Sequence, residues 1–128
     1  QRQLPLEAIS FFQPVKGVVA ESCDRTVHAY LDITAPAGCM VTAVLDGTVV
    51  HTSWDQEDGY LMIIQHGGDI LSLYKHCQKL LKKQGDVVKA GTPIGFVSQS
   101  ESLTKGDHLH FELWYEGNAV DPAQYIKF

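Results

Sequence analysis

The chain has no apolar stretch long enough to cross a bilayer. Its most apolar segments, such as residues 41–45 and 61–64, fall far short of the roughly 20 residues a spanning helix needs, so no membrane span is expected. Basic residues are sparse, with no cluster beyond Lys82-Lys83 and a formal net charge of -5. A nucleic-acid binder carries a basic stripe, so that class of partner is disfavoured. Cysteines are few, at Cys23, Cys39 and Cys77, and none forms a C-x-x-C pair. That spacing argues against a thiolate zinc cluster or a dithiol redox site, and the odd count leaves at least one thiol unpaired within the chain. No start methionine and no charged-then-apolar leader is present, so the expectation is a mature or trimmed segment. No internal repeat and no low-complexity tract is found.

What remains is a soluble globular composition, 45% hydrophobic and 20% charged over 128 residues, the size of one domain. The pattern is strand after strand between glycine turns. Residues 41–44 and 48–54 flank Asp46-Gly47, and residues 60–66 and 69–76 flank Gly67-Gly68, both hairpin signals. Residues 87–88, 93–97 and 108–115 continue the series, and Glu116-Gly117-Asn118 turns the chain again. Threonine, valine, isoleucine and aromatics dominate these runs, as half-buried strands require. Residues 77–83, apolar at Leu80 and Leu81, suggest a short helical connection, and residues 4–12 suggest another. The polar stretch 98–107 reads as a long surface loop. The expected class is mainly antiparallel β.

Six histidines are many for this length. His108-Leu109-His110 opens a strand, where positions i and i+2 face the same side, roughly 6.5–7 Å apart. The two imidazoles converge while Leu109 turns to the core. His28 and Asp32 are four apart and share a face on a strand or a helix. Together they offer imidazoles and one carboxylate, the N and O donors that a catalytic zinc site uses while keeping one position open. Spacing alone leaves open whether His108 or His110 is the ligand. His76 ends a strand, and His51 and His66 read as ordinary turn histidines, His66 bonding backbone.

The sequence resembles the LytM/lysostaphin-type zinc peptidases, which cut peptide cross-links in bacterial cell walls. The resemblance rests on HAYLDITAPAG (28–38), VTAVLDGTVV (41–50), GYLMIIQHG (59–67), LYKH (73–76), GDVVKAGTPIGFV (85–97), GDHLHFEL (106–113) and VDP (120–122), in family order. It implies a barrel-sandwich-like antiparallel β domain over residues 17–128, with one or two short helices, preceded by a lead-in at 1–16. It implies one Zn2+ held by His28, Asp32 and His110, with His76 and His108 as the catalytic histidines beside it. The implied substrate is the peptide stem or cross-bridge of peptidoglycan, and the implied location is the cell envelope, periplasmic or secreted. Relatives that serve as regulators or wall-binding modules usually lose ligands, and here all five positions are intact.

Two departures stand out. Tyr30 occupies a position where the family has glycine, and Asp107 precedes the H-x-H where proline is frequent. In an extended segment residues 28, 30 and 32 share a face, so Tyr30 is a candidate for lining and narrowing the substrate groove. A bulged segment would turn its ring to the core instead. Two other functions are weighed against this one. GDVVKAGTPIG (85–95) is common to biotinyl- and lipoyl-type carriers, but neither hairpin tip offers the lysine such a carrier needs. A cysteine hydrolase on Cys77 and His76 is disfavoured because neighbours on a strand face opposite sides.

Overall fold

A computed structural model describes residues 8–24, 29–99 and 107–127. The strands are β1 (Val18–Asp24), β2 (Ala29–Thr34), β3 (Met40–Thr42), β4 (Gly47–Asp55), β5 (Gly59–Gln65), β6 (Ile70–Leu80), β7 (Val87–Val88), β8 (Pro93–Val97), β9 (His108–Tyr115) and β10 (Asn118–Val120). Every pairing is antiparallel. The order runs β1-β2-β9-β6-β5-β4-β7, with β10 on β9 and β8 joining β3 to β6. The expected class therefore holds, as an open sheet that does not close into a barrel. A 3-10 turn at Pro122–Gln124 follows β10, with Asp121 capping it through the amide of Ala123.

Strand alternation decides which residues reach the core. On β9, Leu109, Phe111 and Leu113 are fully buried, facing Leu31 and Ile33 of β2 and Tyr74 of β6 on the inner side. Met62 and Ile64 of β5 continue that layer. The lead-in is stitched to it as well. Val15 is buried, the Phe12 amide donates to the Val44 carbonyl at 2.8 Å, and the Thr42 hydroxyl donates to the Gln13 carbonyl at 2.6 Å. A polar chain crosses the core: His66 Nε2 lies 2.7 Å from Ser72 Oγ, which donates to Tyr74 Oη at 2.8 Å, and the Val44 amide donates to the same Oη at 3.2 Å.

Several sequence expectations need correction. Residues 77–83 form no helix, because β6 runs on through Leu80 and pairs with β8. Residues 9–12 are not helical either, and residues 4–7 lie outside the described ones. The hairpin expected at Asp46-Gly47 does not form. Residues 40–42 pair with β8, and the Ala43 carbonyl accepts from Gly91, so the partners of that segment lie far along the chain. Asp46 serves instead to cap the loop at Ala90, whose amide donates to Oδ1 at 2.8 Å. The other two hairpins form, the one at Gly67-Gly68 through a longer loop than the two residues expected, with Asp69 also left-handed (φ 62°). β5 and β6 meet around Gly67-Gly68. β9 and β10 are joined by Glu116-Gly117, both left-handed (φ 52° and 82°), the conformation a two-residue hairpin of right-handed twist demands.

Candidate metal and catalytic site

The outer face of the sheet carries the candidate residues. β2 is extended, so Tyr30 and Asp32 turn outward while Leu31 and Ile33 are buried. Asp32 lies directly across from His110 on β9, and His110 lies across from Lys75 on β6. The pairing brings His110 Nδ1 to 3.0 Å from Asp32 Oδ1. The carboxylate of Asp32 is only 3% exposed, so its environment is set by protein groups. His28 lies outside the described residues.

His76 reaches this face by a backbone irregularity. One residue, Leu61, on β5 stands opposite two, Lys75 and His76, on β6, which is the signature of a bulge. His76 has φ 71°, a left-handed conformation that costs a non-glycine residue on the order of 1–3 kcal/mol. Backbone bonds on both sides hold it there: its amide donates to the Asp58 carbonyl at 2.9 Å and its carbonyl accepts from Ser98 at 2.8 Å. Gly59 makes this approach possible, since a Cβ there would sit 3.0 Å from the Cys77 carbonyl oxygen. The His76 ring then lies 4.7 Å from that of His108 and 6.3 Å from that of His110, centre to centre. His108 is 6% exposed and His76 is half-buried. Burial, reinforced by the neighbouring imidazole of His108, lowers the pKa of His76 and favours its neutral form.

His110 is held from three sides. Besides Asp32, its Nε2 lies 2.7 Å from Glu112 Oε2, and the Tyr30 ring stacks on it at 4.9 Å with 29° between planes. Burial disfavours its charge, yet the hydrogen bonds to Asp32 and Glu112 outweigh that and raise its pKa. A proton on each nitrogen satisfies both carboxylates, and a cation replacing the Nδ1 proton would meet Asp32 Oδ1 and His110 Nδ1 together. The donor set suits zinc, which takes imidazole nitrogen and carboxylate oxygen. Among the described residues no group of three or more His, Cys, Asp or Glu is arranged around one point. His28, the third ligand implied by resemblance, is not among those residues.

Sequence reading missed Glu112 and Trp114. Glu112 is 5% exposed, and its second oxygen accepts from Trp114 Nε1 at 2.9 Å. The signal was available: the period of two that pairs His108 with His110 also places residues 112 and 114 on that face. His66 also does more than expected. Its Nδ1 reaches the Asp46 carbonyl at 3.0 Å as a turn histidine should, while Nε2 enters the core network. Cys77 faces the core at 1% exposure, and burial pushes its pKa up to about 12, so a thiolate nucleophile there is excluded.

Comparison with known proteins identifies the family. Residues 26–122 match the profile of peptidase family M23. The chain belongs to that family. It is 35% identical over 120 residues to the murein hydrolase activator EnvC of Escherichia coli, covering 90% of this chain and 28% of EnvC. It is 35% identical over 95 residues to the peptidoglycan DD-endopeptidase ShyC of Vibrio cholerae, covering 74% of this chain and 22% of ShyC. The crystal structure of a zinc-containing peptidase from Vibrio cholerae superposes with a TM-score of 0.67 at 27% identity, covering 87% of this chain and 36% of that one. The chain thus spans less than a third of the length of either of these curated relatives.

Proposed function

We propose that this M23 domain is a zinc-dependent endopeptidase that hydrolyses peptide cross-links of peptidoglycan in the bacterial cell envelope, periplasmic or secreted. The observation that carries the reading is the convergence of Asp32, His110, His76 and His108 on one face, with a 3.0 Å contact between the first two. In this reading His28, Asp32 and His110 hold the ion. A bound zinc supplies a hydroxide-like nucleophile near neutral pH and polarises the carbonyl under attack. His76, kept neutral by burial, is suited to accept a proton and pass it on toward the departing amine. His108, beside it, stands where it can hydrogen-bond the charge that develops on the carbonyl oxygen. Each such group typically contributes about 10²–10⁴ in rate.

A second reading, a regulator that stimulates another murein hydrolase, is favoured by the likeness to EnvC. Purified sacculi separate the two. Peptide fragments released by the zinc-loaded chain alone, abolished by chelation and restored by zinc, support the endopeptidase. No release by the loaded chain, but faster solubilisation when a purified murein hydrolase is added, would replace it with the regulator.

A further inference from the structure

We propose that Trp114 is a positioning residue for His110, acting through Glu112, and that this pair fixes which ring nitrogen of His110 faces Asp32; the inference rests on the metal reading above. The three residues alternate along one strand, so 110, 112 and 114 stand in a row on the outer face. An indole N–H can only donate, and an ionised carboxylate can only accept. The Trp114 Nε1–H bond at 2.9 Å therefore pins Oε1 of Glu112 and sets the plane of the carboxylate. The remaining oxygen, Oε2, is left 2.7 Å from His110 Nε2 and demands a proton there. With Nε2 committed as a donor, Nδ1 is the atom turned to Asp32 Oδ1 at 3.0 Å. Burial keeps the carboxylate from exchanging these partners for water, since Glu112 is 5% exposed. The Tyr30 ring, stacked 4.9 Å away, opposes rotation of the imidazole out of this arrangement. A carboxylate that orients a ligand histidine from behind is worth roughly 10–100-fold in metal affinity. What this chain adds is a donor that orients the carboxylate.

The pair is tested by zinc affinity, read by chelator competition on four proteins: parent, Glu112→Gln, Trp114→Phe and the double variant. Glutamine has one acceptor oxygen for two donors, so Glu112→Gln should weaken zinc roughly 10–100-fold. Trp114→Phe should weaken it less, by roughly 3–10-fold, since the carboxylate stays but is no longer pinned. Because Trp114 acts through Glu112, the double variant should bind as Glu112→Gln does, within about twofold. In the zinc-loaded parent, nitrogen-15 NMR should show His110 protonated at Nε2, a signature that Glu112→Gln loses and a purely structural role would leave alone. Circular dichroism of the metal-free proteins checks folding, and Trp114→Tyr serves as a second removal of the indole donor. Trp114 variants that bind zinc like the parent, or losses that multiply in the double variant, overturn the inference. A parent chain that takes up no zinc overturns the proposed function, and the inference with it.

Discussion

Removing a single oxygen from the centre of the core tests the polar network beneath the site. Tyr74→Phe keeps the ring that packs 5.3 Å from Phe111, centre to centre, but deletes the hydroxyl that the Val44 amide and Ser72 both use. Ser72 retains His66 Nε2 at 2.7 Å, so its loss is partial. The Val44 amide is different: Val44 is fully buried, and an orphaned buried donor costs about 1–3 kcal/mol. Adding a fraction for the lost Ser72 bond gives about 2–3 kcal/mol of destabilisation. For a chain of this length that corresponds to a fall in Tm of roughly 6–12 °C. Urea unfolding followed by circular dichroism should show a lower midpoint at unchanged slope. Tyr60→Phe, at a ring that is 38% exposed, should stay within about 0.5 kcal/mol and serves as the reference. A loss below about 0.5 kcal/mol for Tyr74→Phe would refute the reasoning, because the Val44 amide would then have another partner.

Three further outcomes are expected. Asp32→Ala and His110→Ala should lose most of about one zinc per chain by elemental analysis, whereas His108→Ala and His76→Ala should keep zinc and lose about 10²-fold or more in hydrolysis; full zinc in Asp32→Ala would contradict the ligand set. Tyr30→Gly should cost about 1–2 kcal/mol of stability, from the lost stacking on His110 and a glycine inside a strand, while raising kcat/KM on cross-linked wall peptides; Tyr30→Phe should match the parent, and a large loss of activity at unchanged zinc would instead assign the phenol a chemical role. Burial lowers the pKa of His66 below its ordinary 6.5, so its contribution to stability is complete above that pH. As pH falls the unfolded chain takes the proton first, and stability is lost until the folded pKa is passed. Urea midpoints measured from pH 7.5 to 5 should therefore fall less steeply in His66→Gln than in the parent, and parallel slopes would count against this.

The strands were legible in the sequence where alternation and turn chemistry agree. Residues 93–97 and 108–115 emerge with the bounds that sequence reading gave them, because glycine or polar breaks delimit them. The H-x-H pair was legible for the same reason, since a period of two needs no tertiary information. Two things were not. Asp46-Gly47 carries a hairpin signal, yet the segment before it pairs with β8, far along the chain, while the segment after it pairs with β5, a choice that depends on packing rather than local propensity. The strand through residues 77–80 was read as helix because Leu80 and Leu81 mimic a helical apolar face, and nothing local announces that β8 will pair there. Glu112 was hidden in a different way: a glutamate on a strand reads as solvent-facing, and only the neighbouring His110 and Trp114 explain its burial.

The irregularity at His76 changes how β6 can be counted. Before it, the inward residues are Ile70, Ser72 and Tyr74, all even-numbered; after it, the inward residue is Cys77, which is odd. One inserted residue has shifted the parity of the strand. Deleting a residue between Tyr74 and Cys77 would restore strict alternation while keeping both flanking segments in register with their neighbours. The left-handed position from which the His76 ring meets that of His108 would then be lost. Length changes in surface turns are commonly absorbed, but at this point the residue count is itself part of the site.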